Sequence, residues 1–220
     1  QALADTLAAG KQALLLINRR GYANFLLCRS CGHVTQCHNC AVSLTWHQAG
    51  EDLRCHLCGL AMTVPPVCPQ CDAATLKPFG FGTQRVESEV QRLFPEARVS
   101  RMDRDTTRSK RAYRQFLSDL SRGRTDILVG TQMIAKGHDF PNITLVGVVS
   151  ADIALQWPDF RAAENTFQVL TQVAGRAGRG DSPGTVLVQT YSPEHYSIRF
   201  ARMHDYGGFF KEEMAFRQEL

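Results

Sequence analysis

Residues Cys28–Cys71 read CRSCGHVTQCHNCAVSLTWHQAGEDLRCHLCGLAMTVPPVCPQC and hold all eight cysteines of the chain. They fall into four Cys-x-x-Cys pairs: Cys28/Cys31, Cys37/Cys40, Cys55/Cys58 and Cys68/Cys71. Two intervening residues let one tight turn aim both sulfurs at a single tetrahedral ion. Eight thiolates on four such turns therefore make two complete tetrathiolate sites. Zinc is the expected occupant, because iron–sulfur clusters usually show other spacings. A four-disulfide secreted domain is the competing reading. It suits small chains without a core, whereas here the cysteines are confined to a short insert in a larger chain well supplied with apolar residues. Redox chemistry at one pair would leave the other three without a purpose.

Inside this window, Ala41–Trp46 alternates apolar and polar residues, and Gln48–Asp52 has turn composition before Leu53. That pattern predicts a β-hairpin. A hairpin closing between Cys40 and Cys55 brings Cys37/Cys40 and Cys55/Cys58 to one ion and leaves Cys28/Cys31 and Cys68/Cys71 for the other. This nested pairing is favoured over the sequential one, which stays open. His33, His38 and His56 are alternative ligands, but with eight thiolates available they read as exposed residues of the turns.

Outside the window, strand-like runs alternate with amphipathic stretches. The expected strands are Ala13–Ile17, Leu76–Phe81, Arg98–Met102, Asp126–Gly130, Ile143–Ser150 and Thr185–Thr190. Helices are expected at Thr83–Phe94, Ser109–Ser121 and Arg161–Gly175, with another from Pro193 onward. Short, nearly continuous Val/Ile/Leu strands separated by helices indicate an α/β fold, a parallel sheet with helices on both faces. The cysteine-rich β-hairpin module, residues 28–74, then interrupts the first strand-to-helix unit. The body is discontinuous, 1–27 and 75–202. Residues 203–220 are polar and aromatic and read as the lead into a further domain.

The chain has 220 residues, 44% of them hydrophobic, and no apolar run of the length a spanning helix needs. Gln1 rather than Met at the start sets the expectation of a piece of a longer protein. The formal charge of +4 is not the relevant one. Eight thiolates remove eight charges and two zinc ions return four, which leaves zero. Bulk attraction to phosphate is then absent, and any nucleic-acid site must be a local patch. One such patch runs from Arg98 to Arg124, with nine Lys/Arg against Asp103, Asp105 and Asp119. Within it Lys110, Arg111 and Arg114 share one helical face, opposite Ala112, Phe116 and Leu120. An ordinary solvated helix face would look the same.

Two segments carry chemistry beyond architecture. In Gly130-Thr-Gln-Met-Ile-Ala-Lys-Gly-His-Asp-Phe-Pro141 a strand ends in a turn, with Gly137 giving backbone room and Asp139 following. The carboxyl ends of parallel strands are where α/β sheets bind ligands. In Gln172-Val-Ala-Gly-Arg-Ala-Gly-Arg-Gly180, two arginines three apart face the same way among small residues. Arginine suits bidentate phosphate contact and charge that develops during phosphoryl transfer.

The pair GTQMIAKGHDFPNITLV and QVAGRAGR resembles motifs V and VI of superfamily 2 helicases. With NRRGY (Asn18–Tyr22), FGTQRVE (Phe81–Glu87), RMDRDTT (Arg101–Thr107) and the eight-cysteine insert, nearly the whole chain is similar to the replication-restart primosomal helicases. The resemblance implies a RecA-like second helicase lobe, facing a first lobe of the same chain across an ATP cleft. It implies 3′-to-5′ movement on single-stranded and forked DNA, with ATP and Mg²⁺ as cofactors beside two structural Zn²⁺. By motif, Arg176 and Arg179 reach the phosphates of ATP, Arg179 as the arginine finger, and Gln172 couples nucleotide to motion. Thr131, Gln132 and Lys136 touch the DNA backbone, and Gly137 and Asp139 lie between DNA and nucleotide. Primosome and single-strand-binding proteins are the implied partners, in a bacterial cytoplasm at the nucleoid, with no membrane.

No G-x-x-x-x-G-K-[ST] phosphate loop and no Asp-Glu-x-His box occurs in these residues. The chain therefore offers the arginine side of an ATPase without the phosphate cradle, and by itself it is expected to be inactive. A zinc-scaffolded protein-interaction module without a motor role would explain the cysteines but not QVAGRAGR. Another superfamily 2 translocase, acting on RNA, would explain both.

Overall fold

The computed structural model describes residues 1–17, 25–47, 50–80, 82–103, 106–107, 109–131, 140, 142–175 and 183–219. Helix α1 (Ala2–Ala8) and strand β1 (Gln12–Leu16) come first. Five short strands follow: β2 (Phe25–Cys28), β3 (Thr45–His47), β4 (Asp52–Arg54), β5 (Ala61–Thr63) and β6 (Leu76–Phe79). Next come α2 (Thr83–Leu93), β7 (Val99–Met102), α3 (Lys110–Ser121), β8 (Ile127–Gly130) and β9 (Ile143–Val148). After them lie α4 (Asp152–Leu155), α5 (Ala162–Ala174), β10 (Thr185–Val188), α6 (Tyr196–Met203) and α7 (Tyr206–Glu219).

These elements form two compact units. One comprises Gln1–Arg19, Phe81–Ala151 and Gln168–Gln189; the other comprises Arg20–Gly80, Asp152–Phe167 and Thr190–Leu220. The first is built on a five-stranded, wholly parallel sheet in the order β10-β9-β1-β8-β7. Every residue of β1 and β8 is buried, as unbroken aliphatic runs at the centre of a covered sheet require, while the edge strands β7 and β10 are only partly covered. Helix α1 packs on β1 and β9, and α2 on β7 and β8. Ser109 caps α3, its hydroxyl accepting from the Ala112 amide at 3.1 Å. The one long polar side chain in β1 is buried and hydrogen-bonded. The Gln12 side-chain amide donates to the carbonyls of Leu120 (3.0 Å) and Thr125 (2.6 Å), tying the end of α3 to the central strand.

The second unit begins with β2 and β6, paired antiparallel from Phe25↔Phe79 to Cys28↔Leu76. This corrects the expectation that Leu76–Phe81 belongs to the parallel sheet. Leu76–Phe79 instead forms a stem that carries the cysteine window, and Phe25–Cys28, with no strand expected for it, is its partner. At the head of the stem, β3, β4 and β5 form a small antiparallel sheet. The expected hairpin is present as β3–β4, with His47 opposite Asp52; β5 was not anticipated. A compact apolar cluster fills this head: Leu26, Val42, Leu44 and Leu53 with the buried thiols Cys37 and Cys55. Residues Tyr206–Glu219 form a helix, where polar–aromatic composition suggested only a connecting stretch. Its Phe209 ring stacks on Phe167 at 4.2 Å.

Candidate functional site

All four Cys-x-x-Cys turns have one construction. The amides of Gly32, Ala41, Gly59 and Asp72 donate back to the carbonyls of Cys28, Cys37, Cys55 and Cys68 at 2.9–3.0 Å. In return the amides of those four cysteines donate to the carbonyls of His33, Val42, Leu60 and Ala73 at 2.8–2.9 Å. The chain can close this loop only if the residue after the second cysteine takes a left-handed conformation, and φ there is +78° at Gly32, +51° at Ala41, +77° at Gly59 and +55° at Asp72. The first cysteine of every pair is buried, whereas Cys31, Cys58 and Cys71 are exposed and Cys40 is half-buried.

The four turns converge as two quartets, Cys28/Cys31/Cys68/Cys71 and Cys37/Cys40/Cys55/Cys58, with the sulfurs of each within 4.8 Å of one another. This is the nested arrangement. Individual separations are 3.6 Å for Cys28–Cys71, 3.7 Å for Cys31–Cys68 and 3.6 Å for Cys37–Cys58. A tetrahedral zinc thiolate with bonds of about 2.3 Å has sulfur–sulfur edges of roughly 3.8 Å. A disulfide would need about 2.05 Å, and all eight thiols are free. His33, His38 and His56 belong to neither quartet.

The electrostatics of the bare thiols also call for a cation. The Thr75 hydroxyl, 3.1 Å from Cys28 Sγ, together with the amides of Cys31 and Ser30, pulls the Cys28 thiol down to about 5. The Leu60 amide, helped by Asn39, brings Cys58 down to about 6. In each quartet another thiol is driven the opposite way. Cys40 is pushed up to about 12 by its sharing with Cys58, by burial and by Cys55. Cys71 rises to about 12 although the Ala73 amide opposes it, because it meets Cys31, Cys28 and Cys68. Four sulfurs at this spacing cannot all ionise alone, and a dication removes the conflict. The residues therefore fit two Zn²⁺ ions, one per quartet. Thr75 and Asn39 were not singled out in the sequence, since nothing local marks a hydroxyl 47 residues from Cys28 as its hydrogen-bond donor.

In the parallel-sheet unit, Thr131 follows β8 at the point where strand order reverses around β1, and its amide donates to the Met102 carbonyl at 3.4 Å. Such a reversal at the strands' carboxyl ends is the usual ligand crevice of an open α/β sheet. Gln172 is exposed near the end of α5. Gln132, Lys136, Gly137, Asp139, Arg176 and Arg179 lie outside the described residues. The quoted segments at 81–87 and 101–107 are tied together by a buried carboxylate. Asp103 Oδ2 accepts from Thr83 Oγ1 at 2.7 Å and from Arg101 Nη1 at 2.6 Å, and its Oδ1 accepts from the Thr106 amide at 3.0 Å. Arg101 also pairs with Glu87 at 3.0 Å.

Comparison with known proteins matches two stretches of the chain. Residues 37–62 match the family described as the PriA DNA helicase Cys-rich region (CRR) domain, and residues 79–181 match the helicase conserved C-terminal domain. Over 219 residues and its full length the chain is 55% identical to the replication restart protein PriA of Bacillus subtilis (strain 168), and covers 27% of that relative. The Synechocystis protein of the same name is 49% identical over 223 residues, with 100% of this chain and 27% of the relative covered. That of Haemophilus influenzae is 44% identical over 214 residues, with 97% and 29% covered. The chain thus spans little more than a quarter of the length of these relatives. Among solved structures, the Pyrococcus furiosus Hef helicase domain aligns over 92% of this chain and 26% of its own, at 11% identity and a TM-score of 0.43.

Proposed function

Because the chain belongs to the PriA replication restart helicases, as their C-terminal helicase lobe with the cysteine-rich zinc region, we propose that it is the second motor lobe of an ATP-dependent DNA helicase. The observation that carries the reading is the insertion of two complete cysteine quartets on an antiparallel stem after the first strand of a parallel sheet. The lobe proper is 1–27 with 75–202, the zinc module 28–74, and 203–220 leads onward. In the whole protein it faces a first lobe that supplies the phosphate cradle and Mg²⁺ ligands absent from this sequence. Movement runs 3′-to-5′ on single-stranded DNA at stalled or abandoned forks, to restart replication with primosome and single-strand-binding proteins in the bacterial cytoplasm.

Each residue has a role in that reading. Arg179 meets charge developing on the transferred phosphoryl group, Arg176 binds phosphate one turn earlier, and Gln172 links nucleotide to movement. Thr131, Gln132 and Lys136 hold the DNA backbone, with Gly137 and Asp139 between backbone and nucleotide. Lys110, Arg111 and Arg114 are exposed on α3 and make no ion pair among the described residues, which suits a further backbone contact. Zinc supplies no redox chemistry; it crosslinks the four turns. Among the described residues no helix is long and apolar enough to cross a membrane.

The test is Arg179→Ala in the full-length parent with single-stranded DNA present. A finger acts on the transition state, so ATP turnover should fall by about 10³–10⁵ while affinity for a non-hydrolysable analogue changes little. Lysine at the same position should rescue poorly, because a point charge lacks the planar fork. Unchanged turnover would move the finger to Arg176 or overturn the motor reading of this segment. The isolated chain should hydrolyse no ATP.

A further inference from the structure

Beside the β2–β6 stem stands an aromatic that the fold holds in place yet leaves open to solvent. Tyr191 is 44% exposed. Its backbone is fixed by Asp152, itself only 2% exposed, whose carboxylate accepts from the Tyr191 amide at 3.1 Å and from the Thr190 hydroxyl at 3.0 Å. On another side Tyr191 is seated against the first zinc turn. A Cβ placed on Gly32 would come within 2.8 Å of Tyr191 Cβ, so the close approach depends on glycine there. The ring meets Phe79 edge-on, at 6.3 Å and 81°. These hydrogen bonds compensate the burial of the aspartate and hold the Tyr191 backbone in place while its ring stays open to solvent.

The same Phe79 ring carries a cation. The Arg29 guanidinium lies 4.7 Å above its centroid, and Arg29 is exposed. Lys77, two residues before Phe79 on β6, shares its face of the strand and is also exposed. Neither cation has an ion-pair partner among the described residues. Phe79 thus links an exposed aromatic ring with one unpaired cation over its own ring and a second on its strand face, and this combination matches one ligand chemistry above others. The ring offers a stacking partner for a base, and the cations offer contacts for the phosphates either side of it.

We propose that Tyr191, with Arg29 and Lys77, forms a single-nucleotide platform for single-stranded DNA at the base of the zinc module, in addition to the strand-end motif. Every base has a π-face, so the platform is sequence-tolerant. Its carboxylate anchor and glycine seat keep the ring from following the strand, which makes it a fixed point past which DNA steps. The proposal rests on the reading of the chain as a DNA motor lobe, but its test does not involve ATP.

In the full-length parent, without nucleotide, affinity is measured for oligodeoxythymidine and for an abasic strand of equal length. Tyr191→Leu keeps apolar bulk and removes the π-face. It should weaken oligodeoxythymidine binding about 5- to 150-fold and leave the abasic strand unchanged. Tyr191→Phe should bind as the wild type does. Arg29→Ala and Lys77→Ala should each lower the salt dependence by about 0.7 in slope, on both strands. In the unaltered protein, a strand bearing 5-iododeoxyuridine should crosslink to Tyr191 under ultraviolet light, which tests the site even if the leucine variant folds poorly. Equal weakening on both strands, no weakening, or no adduct at Tyr191 would overturn the platform. So would loss of single-strand-binding-protein capture with DNA affinity intact, which would make this a protein surface. Arg179→Ala tests the motor reading separately, by turnover, so the two can fail independently.

Discussion

Gly32, Ala41, Gly59 and Asp72 occupy the same left-handed position in four equivalent turns, and their different side chains make that position a natural experiment. A side chain in this conformation costs an L-residue about 1 kcal/mol or more. At Gly59 an added Cβ meets nothing within 4 Å, so Gly59→Ala should show the conformational cost alone, about 1 kcal/mol. Gly32→Ala should cost clearly more, since its Cβ would press on Tyr191. Ala41→Gly relieves a left-handed penalty of about 1–2 kcal/mol and gives back about 0.4–1 kcal/mol as added freedom of the unfolded chain, so it should leave stability unchanged or raise it by up to about 1.5 kcal/mol. Chemical unfolding of the zinc-loaded chain would rank the three; equal losses at Gly59 and Gly32 would mean that the seat against Tyr191 is not tight. The cysteine spacing reveals that these turns exist. The tight seat is invisible in sequence, because Gly32 and Tyr191 are brought together only by the fold.

Helix α6 shows how an element's cap can make stability depend on pH. His195 is its N-cap, with Nδ1 accepting from the Ser197 amide at 3.3 Å and lying 2.9 Å from the Ser197 hydroxyl, and its ring stacks on Tyr196 at 4.5 Å. Burial holds its pKa below the usual imidazole value, against the opposing pull of Glu213, Glu212 and Asp152. The folded state therefore resists a proton that the unfolded chain accepts near 6.5. Stability is fully present above that value and is lost as pH falls through it toward the lower folded pKa. Asparagine keeps a capping acceptor without titrating. His195→Asn should thus lose less Tm than the wild type between pH 7.5 and 5.5, and an identical pH profile would show that His195 does not contribute. The helix from Pro193 onward was expected from the sequence, but the continuation through Tyr206–Glu219 was not. Its stripe is sealed by distant partners, with Phe209 on Phe167 and Arg217 paired at 2.7 Å with Glu164. Nearest-neighbour periodicity contains neither contact.

On the scale of the molecule, the two units draw their cohesion from different sources. The parallel sheet rests on buried aliphatic strands, β1 and β8 above all. The cysteine-rich head has only a small apolar cluster, two of whose buried members are zinc ligands. Structural zinc contributes roughly 10–16 kcal/mol of apparent binding free energy in small modules. A strong chelator should therefore release two equivalents of zinc and abolish amide-exchange protection at β3 and β4, while β1 and β8 stay protected. Release of one equivalent, or simultaneous loss of protection in β1, would contradict this division. What depends on short spacing can be read from the chain alone: the four cysteine pairs and most of the strand and helix runs. Residues two to four apart are placed by local backbone geometry, so their pattern is readable without a fold. Packing in three dimensions selects which pairs share an ion and draws Leu76–Phe79 out of the parallel sheet to pair with Phe25–Cys28. It also sets Thr75, Asn39 and Asp152 beside residues far from them in the chain. Those contacts close long loops, and their partners are chosen by fit between distant surfaces, which no local pattern encodes.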